Sequence, residues 1–150
     1  MKRKKSILVI AVVLLFVSPL LYAQSNKLVL HVRATTAVDG AVKLTIPFEF
    51  SAGGKTLGAG EYVIEPCGEL AMMVLGTQGK GSVILVTAPV TSSSQIEKPK
   101  LVFHRYGDRY FLAQAWLNFS TQGKEFRIWP EEIKVAREYR QQQVTLVAGK

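Results

Sequence analysis

From Val42 to Phe50 the apolar residues Val42, Leu44, Ile46, Phe48 and Phe50 alternate with Lys43, Thr45, Pro47 and Glu49. Period-2 alternation is the mark of a strand with one buried face. Pro47 has no N–H to give to a ladder, so it sets this strand at a sheet edge or at a bulge. Leu28 to Val38 reads as a second strand, with Asp39-Gly40 as the turn that pairs the two. Gly53-Gly54-Lys55-Thr56 is a loop, after which Leu57 to Tyr62 leads into a strand through about Glu65. The spacing Leu57-x-x-Gly60-x-Tyr62 fits either a tyrosine corner, in which the phenol turns back onto upstream backbone, or an ordinary half-buried strand aromatic.

Leu70 to Leu75 and Ser82 to Ala88 are continuous apolar runs flanking a glycine-rich turn, Gly76 to Gly81. Such runs predict a hairpin buried on both faces. Thr91 to Pro99 is polar and reads as a surface loop. Lys100 to Tyr106 and Arg109 to Leu117 then flank Gly107-Asp108, a two-residue turn. That turn sets Tyr106 opposite Arg109, Arg105 opposite Tyr110, His104 opposite Phe111 and Phe103 opposite Leu112. Both faces of the hairpin carry large apolar groups, so Phe103, Phe111, Leu112 and Trp116 are expected to anchor a core covered on each side.

Pro130-Glu131-Glu132 places proline in a first turn and two carboxylates at the positive end of a helix dipole. The pattern predicts a helix over about 130–143 with Ile133, Ala136 and Tyr139 facing the sheet, and Lys134, Arg137 and Arg140 forming a basic stripe away from it. Val144 to Val147 reads as a short closing strand. The fold class that follows is mainly β: a single β-sandwich or flattened β-barrel of about seven or eight strands with one C-terminal α-helix.

The N-terminus changes the picture of the whole chain. Lys2, Arg3, Lys4 and Lys5 precede an apolar stretch from Ile7 to Val17, then Ser18-Pro19, then Leu21-Tyr22-Ala23. This is the tripartite pattern of a cleavable signal peptide over residues 1–23, leaving one β-rich domain over 24–150. The apolar stretch is short for a membrane anchor. The expectation is therefore a secreted or periplasmic protein, with no membrane association after cleavage. The formal charge of +8 shrinks to +4 once the four leader residues are removed, leaving 15 basic against 11 acidic residues. That excess is dispersed, which argues against nucleic acid as a partner. The stripe of Lys134, Arg137 and Arg140 is the place where an anionic polymer or surface is expected, if it is more than a solvated face.

Catalytic patterns are sparse. His31 and His104 lie on expected strands, neither at a metal-ligand spacing, so no metal and no cofactor is expected. Asp108 sits past the end of the ladder that holds His104. Glu49, Glu61, Glu65 and Glu69 offer paired carboxylates only as any β protein of this size would. Gly53-Gly54-Lys55-Thr56 lacks the spacing and helix of a phosphate loop. Asn118-Phe119-Ser120 matches a glycosylation acceptor. Cys67 is the single cysteine, so it forms no internal bridge; with Pro66 and Gly68 beside it and no nearby base, a buried inert thiol is expected.

Three segments, Ile46-Pro47-Phe48-Glu49-Phe50, Gly54 through Tyr62, and Leu101 through Leu112, resemble a family of small uncharacterised secreted bacterial proteins. The resemblance covers about Val42 to Leu117, and that family typically carries proline where this chain has Gly58. It implies export and a bacterial source and transfers no functional residue. The function expected is a non-enzymatic exported binding or interaction protein whose site lies on loops such as Gly53 to Gly60 or Thr91 to Pro99. The alternatives are a small secreted hydrolase using carboxylates or His104, and a β-calyx holding an apolar ligand.

Overall fold

The alternation across Val42 to Phe50 is unbroken, but the strand is not. The computed structural model describes residues 27–36, 40–117 and 120–149. In it β1 (Lys27–Thr36) is followed by β2 (Val42–Ile46), which ends just before Pro47, and the chain resumes extended pairing as β3 (Phe50–Ala52). Pro47 breaks the ladder for want of an N–H, and Phe48 stays inside by stacking on Tyr110, ring centroids 3.9 Å apart. The edge or bulge expected at Pro47 is thus a crossing between layers. Gly53 and Gly54, both at positive φ, then close a hairpin onto β4 (Lys55–Leu57), with Ala52 opposite Lys55.

A second crossing follows at once. The hydroxyl of Tyr62 donates to the carbonyl of Gly58 at 2.5 Å, at the start of β5 (Gly60–Pro66). Of the two sequence readings of Tyr62, the structure is the corner: a fully buried phenol pins the turn between β4 and β5. Next come β6 (Ala71–Gly76), a single 3-10 turn over Thr77–Gly79, and β7 (Ser82–Thr91). After the loop to residue 99 the chain forms β8 (Lys100–Tyr106) and β9 (Arg109–Trp116). They pair in the register expected from the Gly107-Asp108 turn, with a bulge at Val102/Phe103. β10 (Gln122–Phe126), α1 (Pro130–Ala136) and β11 (Gln141–Gly149) complete the chain.

The fold is mainly β. Nine strands follow one another in a ring, β10-β7-β6-β5-β2-β1-β11-β8-β9, which β9 and β10 close, while β3 and β4 branch from β9. Two strands serve both layers of this flattened barrel. β1 pairs in parallel with β11 through Lys27–Arg33 and then antiparallel with β2 through Ala34–Thr36. β7 pairs with β6 through Ser82–Val86 and with β10 through Thr87–Thr91. One layer is therefore β2, β5 and β6 with the adjoining halves of β1 and β7; the other is β10, β9, β8 and β11.

Between the layers the inward residues form one continuous apolar cluster, including Val42, Ile46, Phe50, Tyr62, Met72, Phe103, Leu112 and Leu146. The four expected anchors are all buried, in three different places. Phe103 and Leu112 fill the interior, Phe111 packs with Tyr106 and Val135 under α1, and Trp116 packs with Ile96 and Val102 under the loop before β8. The outer face of the second layer is thus covered twice by the chain itself.

Three sequence expectations are corrected here. The helix stops at Ala136 instead of about 143, because Gln141–Gln143 join the ladder of β11 opposite Tyr106, Arg105 and His104; strand pairing overrides local propensity. The helix face is also different: Glu132 and Val135 point to the sheet, while Ile133, Ala136 and Tyr139 are exposed. And the β6–β7 hairpin is buried on one face only, with Ile84 and Val86 outside at 62% and 69% exposure. The strand count exceeds the seven or eight expected because the Val42–Phe50 strand divides and because the short strands β4 and β10 carry little apolar patterning. The leader over residues 1–23, and Asp39 of the first expected turn, lie outside the described residues.

Candidate functional site

The sheet face beneath α1 is polar where the helix meets it. His104 and Tyr106 alternate outward along β8, two residues apart, and α1 lies over them because Pro130 starts a helix whose second carboxylate falls one turn before Val135. Glu132 Oε1 sits 2.6 Å from His104 Nδ1 and accepts a second hydrogen bond, at 3.3 Å, from the Tyr106 hydroxyl. Gln141 Oε1 lies at the same distance from that hydroxyl. Burial, and then the charge and hydrogen bonding of Glu132, push the Tyr106 phenol up to about 12. A buried carboxylate is costly unless paired, and here the partners come from the strand directly below. Outside this cluster Arg109 pairs with Glu131 in solvent.

His104 is therefore beside a carboxylate, which residue spacing alone did not reveal, because Glu132 lies 28 residues away on an element read with the wrong face inward. Acyl transfer by such a pair requires a hydroxyl nucleophile on the imidazole. The hydroxyl present, that of Tyr106, is bonded to Glu132 instead. The neighbouring space, lined by residues such as Gly53, Trp129 and Glu132, amounts to about 10 Å³, at the limit for one water. These contacts fasten α1 to the sheet.

The other expected residues are dispersed. His31 is exposed and borders an open cleft with the loop of residues 94–98. Asp108 and Glu49 line a polar cleft of about 190 Å³ with Phe48, Ser51, Arg109 and Tyr110. Glu61 pairs with Lys43 at 3.0 Å, while Glu65 and Glu69 lie further along the β5–β6 turn. Lys134, Arg137 and Arg140 are all exposed, but only Lys134 is within the helix, so they do not form a helical stripe. Asn118 and Phe119 fall outside the described residues. Cys67 is exposed, not buried: it follows Glu61, Val63 and Glu65 in outward alternation, and its N–H donates to Ala71 O at 2.9 Å. Among the described residues no three His, Cys, Asp or Glu side chains gather as a metal site.

The two loops expected to hold the site are both tied down. Gly54 lies under the Trp129 ring. In the loop before β8, Ile96 is buried and its N–H donates to Ser120 O at 3.1 Å. The calyx reading asks for an open interior, and apolar side chains occupy it.

What the structure leaves open is the outer face of the other layer. Along β5, β6 and β7 the outward positions Val63, Ala71, Met73, Leu75, Ile84 and Val86 make an apolar patch, with Leu70 and Ile128 at its margins and the outward Glu61, Glu65 and Ser82 at its rim. A sheet face in water ordinarily carries polar residues at these positions. Here they are apolar in three neighbouring strands, and no element of the described chain lies over them. The sequence signal for it is the lack of polar alternation in Leu70–Leu75 and Ser82–Ala88, a pattern that equally predicts burial within the chain. No family model, curated protein or solved structure matches this chain.

Proposed function

We propose that this is an exported, non-enzymatic interaction protein of the periplasm or extracellular space that works through the outer face of β5, β6 and β7. One observation carries the reading: among the described residues α1 and a loop cover one outer face of the barrel, while the other is apolar with no element over it, Ile84 and Val86 being more than half exposed. Contiguous exposed apolar surface of this kind marks contact sites in soluble proteins. The signal-peptide pattern of residues 1–23 supports export. A hydrolase reading draws on the His104–Glu132 pair, but that pair is engaged in holding α1.

The test is the native mass of the protein in the envelope or culture fraction of a bacterium exporting it, compared with an Ile84→Lys variant. The wild type is expected in a species larger than one chain, and the variant at the mass of one chain. Wild-type protein at single-chain mass in every fraction contradicts the proposal.

A further inference from the structure

Resting on that reading, we infer that the partner on the bare face is a second copy of this chain, packed about a twofold axis that runs along the seam between β6 and β7. The register across that seam sets Leu75 opposite Ser82, Met73 opposite Ile84 and Ala71 opposite Val86. A twofold axis parallel to the strands and midway between them lays each residue over its own register partner in the other copy. Leu75 then covers Ser82, Met73 covers Ile84 and Val86 covers Ala71. Large meets small in two of the three rows, the alternation that lets facing layers interdigitate, and in the middle row the flexible Met73 packs on the stiffer, β-branched Ile84.

The charges at the rim fit the same operation. Beyond β7, one residue past the pairing of Phe126 with Thr87, Arg127 comes alongside Val86, and both line a shallow groove of about 540 Å³ with Ile128. On the other side of the seam Cys67 comes alongside Ala71, flanked in sequence by Glu65 and Glu69. Residues in the Ala71–Val86 row exchange sides under the twofold. Each copy's Arg127 is thereby carried over Cys67 of the other copy, between Glu65 and Glu69. Among the described residues none of these three charged side chains has an ion pair within its own chain, and the complementary rim fixes orientation as well as register. An anionic lipid surface would meet Glu65 and Glu69 with repulsion. The same geometry keeps Cys67 and its copy on opposite sides of the axis, so the two thiols do not meet and no disulfide joins the copies.

Sedimentation equilibrium on the purified exported protein tests this, with circular dichroism confirming that each variant stays folded. The wild type is expected at twice the chain mass. Ile84→Lys should raise the dissociation constant about 30-fold or more. Arg127→Glu should raise it about 10-fold, and Glu65→Arg with Glu69→Arg added to Arg127→Glu should restore it. Cys67→Ser should leave it unchanged. A single-chain mass at all concentrations, a dimer indifferent to Ile84→Lys, loss of the dimer in Cys67→Ser, or no rescue by charge reversal each overturns the inference. A larger native species containing a different protein overturns the second copy while leaving the interaction reading standing; single-chain mass in every cell fraction removes both.

Discussion

Glu132 Oε1 and His104 Nδ1 lie 2.6 Å apart, although one belongs to the two-turn α-helix, the only α-helix among the described residues, and the other to a strand of the barrel. Glu132 is almost fully buried, so its pairing decides whether α1 stays docked. Glu132→Gln keeps the shape and removes the charge, and is expected to cost about 1.5–3 kcal/mol in urea unfolding. His104→Ala and Glu132→Ala together should cost less than their sum, by about 0.5–3 kcal/mol, as contacting residues do in a double-mutant cycle. Additive losses would show that the two groups are not coupled.

Tyr106 supplies the larger part of the alkaline pH dependence, beside the buried Tyr62. Its phenol is raised to about 12 in the folded protein, whereas the unfolded chain ionises near the ordinary 10.0. Tyr106 therefore leaves stability unaffected below pH 10 and lowers it as pH rises from 10 toward 12, where only the unfolded state gains tyrosinate. Burial also raises the Tyr62 phenol, so ultraviolet titration should show two late phenols, and Tyr106→Phe should remove one of them and lessen the alkaline loss of stability. An unaltered alkaline slope in Tyr106→Phe would contradict the assignment.

Tyr62→Phe isolates the corner. The ring remains packed against Phe50, centroids 5.2 Å apart, and only the hydrogen bond to Gly58 O is lost. The expected cost is about 1 kcal/mol by denaturant unfolding, with the fold retained. No change in midpoint would mean that the corner is not held by the hydroxyl.

Two glycines should respond in opposite directions to alanine. A Cβ at Gly123 would come within 2.5 Å of the Trp116 ring, so Gly123→Ala should destabilise by about 1–3 kcal/mol. A Cβ at Gly58 would meet nothing within 4 Å, and its φ is not in the left-handed range, so Gly58→Ala should stabilise by about 0.4–1 kcal/mol. Thermal midpoints of the two variants measure both.

Thr87 gives a fifth expectation. Its hydroxyl is buried without a partner among the described residues. Thr87→Val removes an unsatisfied group while nearly keeping the shape, and should raise stability by about 1 kcal/mol. A loss would indicate that the hydroxyl is bonded after all.

Local signals carried much of the fold. Gly107-Asp108 fixed the β8–β9 register residue by residue, and the spacing from Leu57 to Tyr62 held the corner as one of two readings. What the sequence hid was tertiary. Pro47 signals an edge or a bulge, and only the pairing of β3 with β9 shows that the chain changes layers there. Gln141–Gln143 favour helix locally and are taken by the ladder of β8. β10, Gln-Gly-Lys-Glu-Phe, has one large apolar residue, and its glycine is there to admit Trp116. The candidate face was visible as two apolar runs, but a run of that kind reads the same whether it is covered by its own chain or by another.

The most direct test of the central claim, that the outer face of β5, β6 and β7 is a contact surface, is side-chain footprinting of the exported protein across a dilution series. Met73, Ile84 and Val86 should be protected at high concentration and become reactive on dilution, while Leu28 and Val29, exposed on β1, stay equally reactive throughout. Reactivity of Ile84 and Val86 that is high and constant at every concentration and in the cell fraction would contradict it.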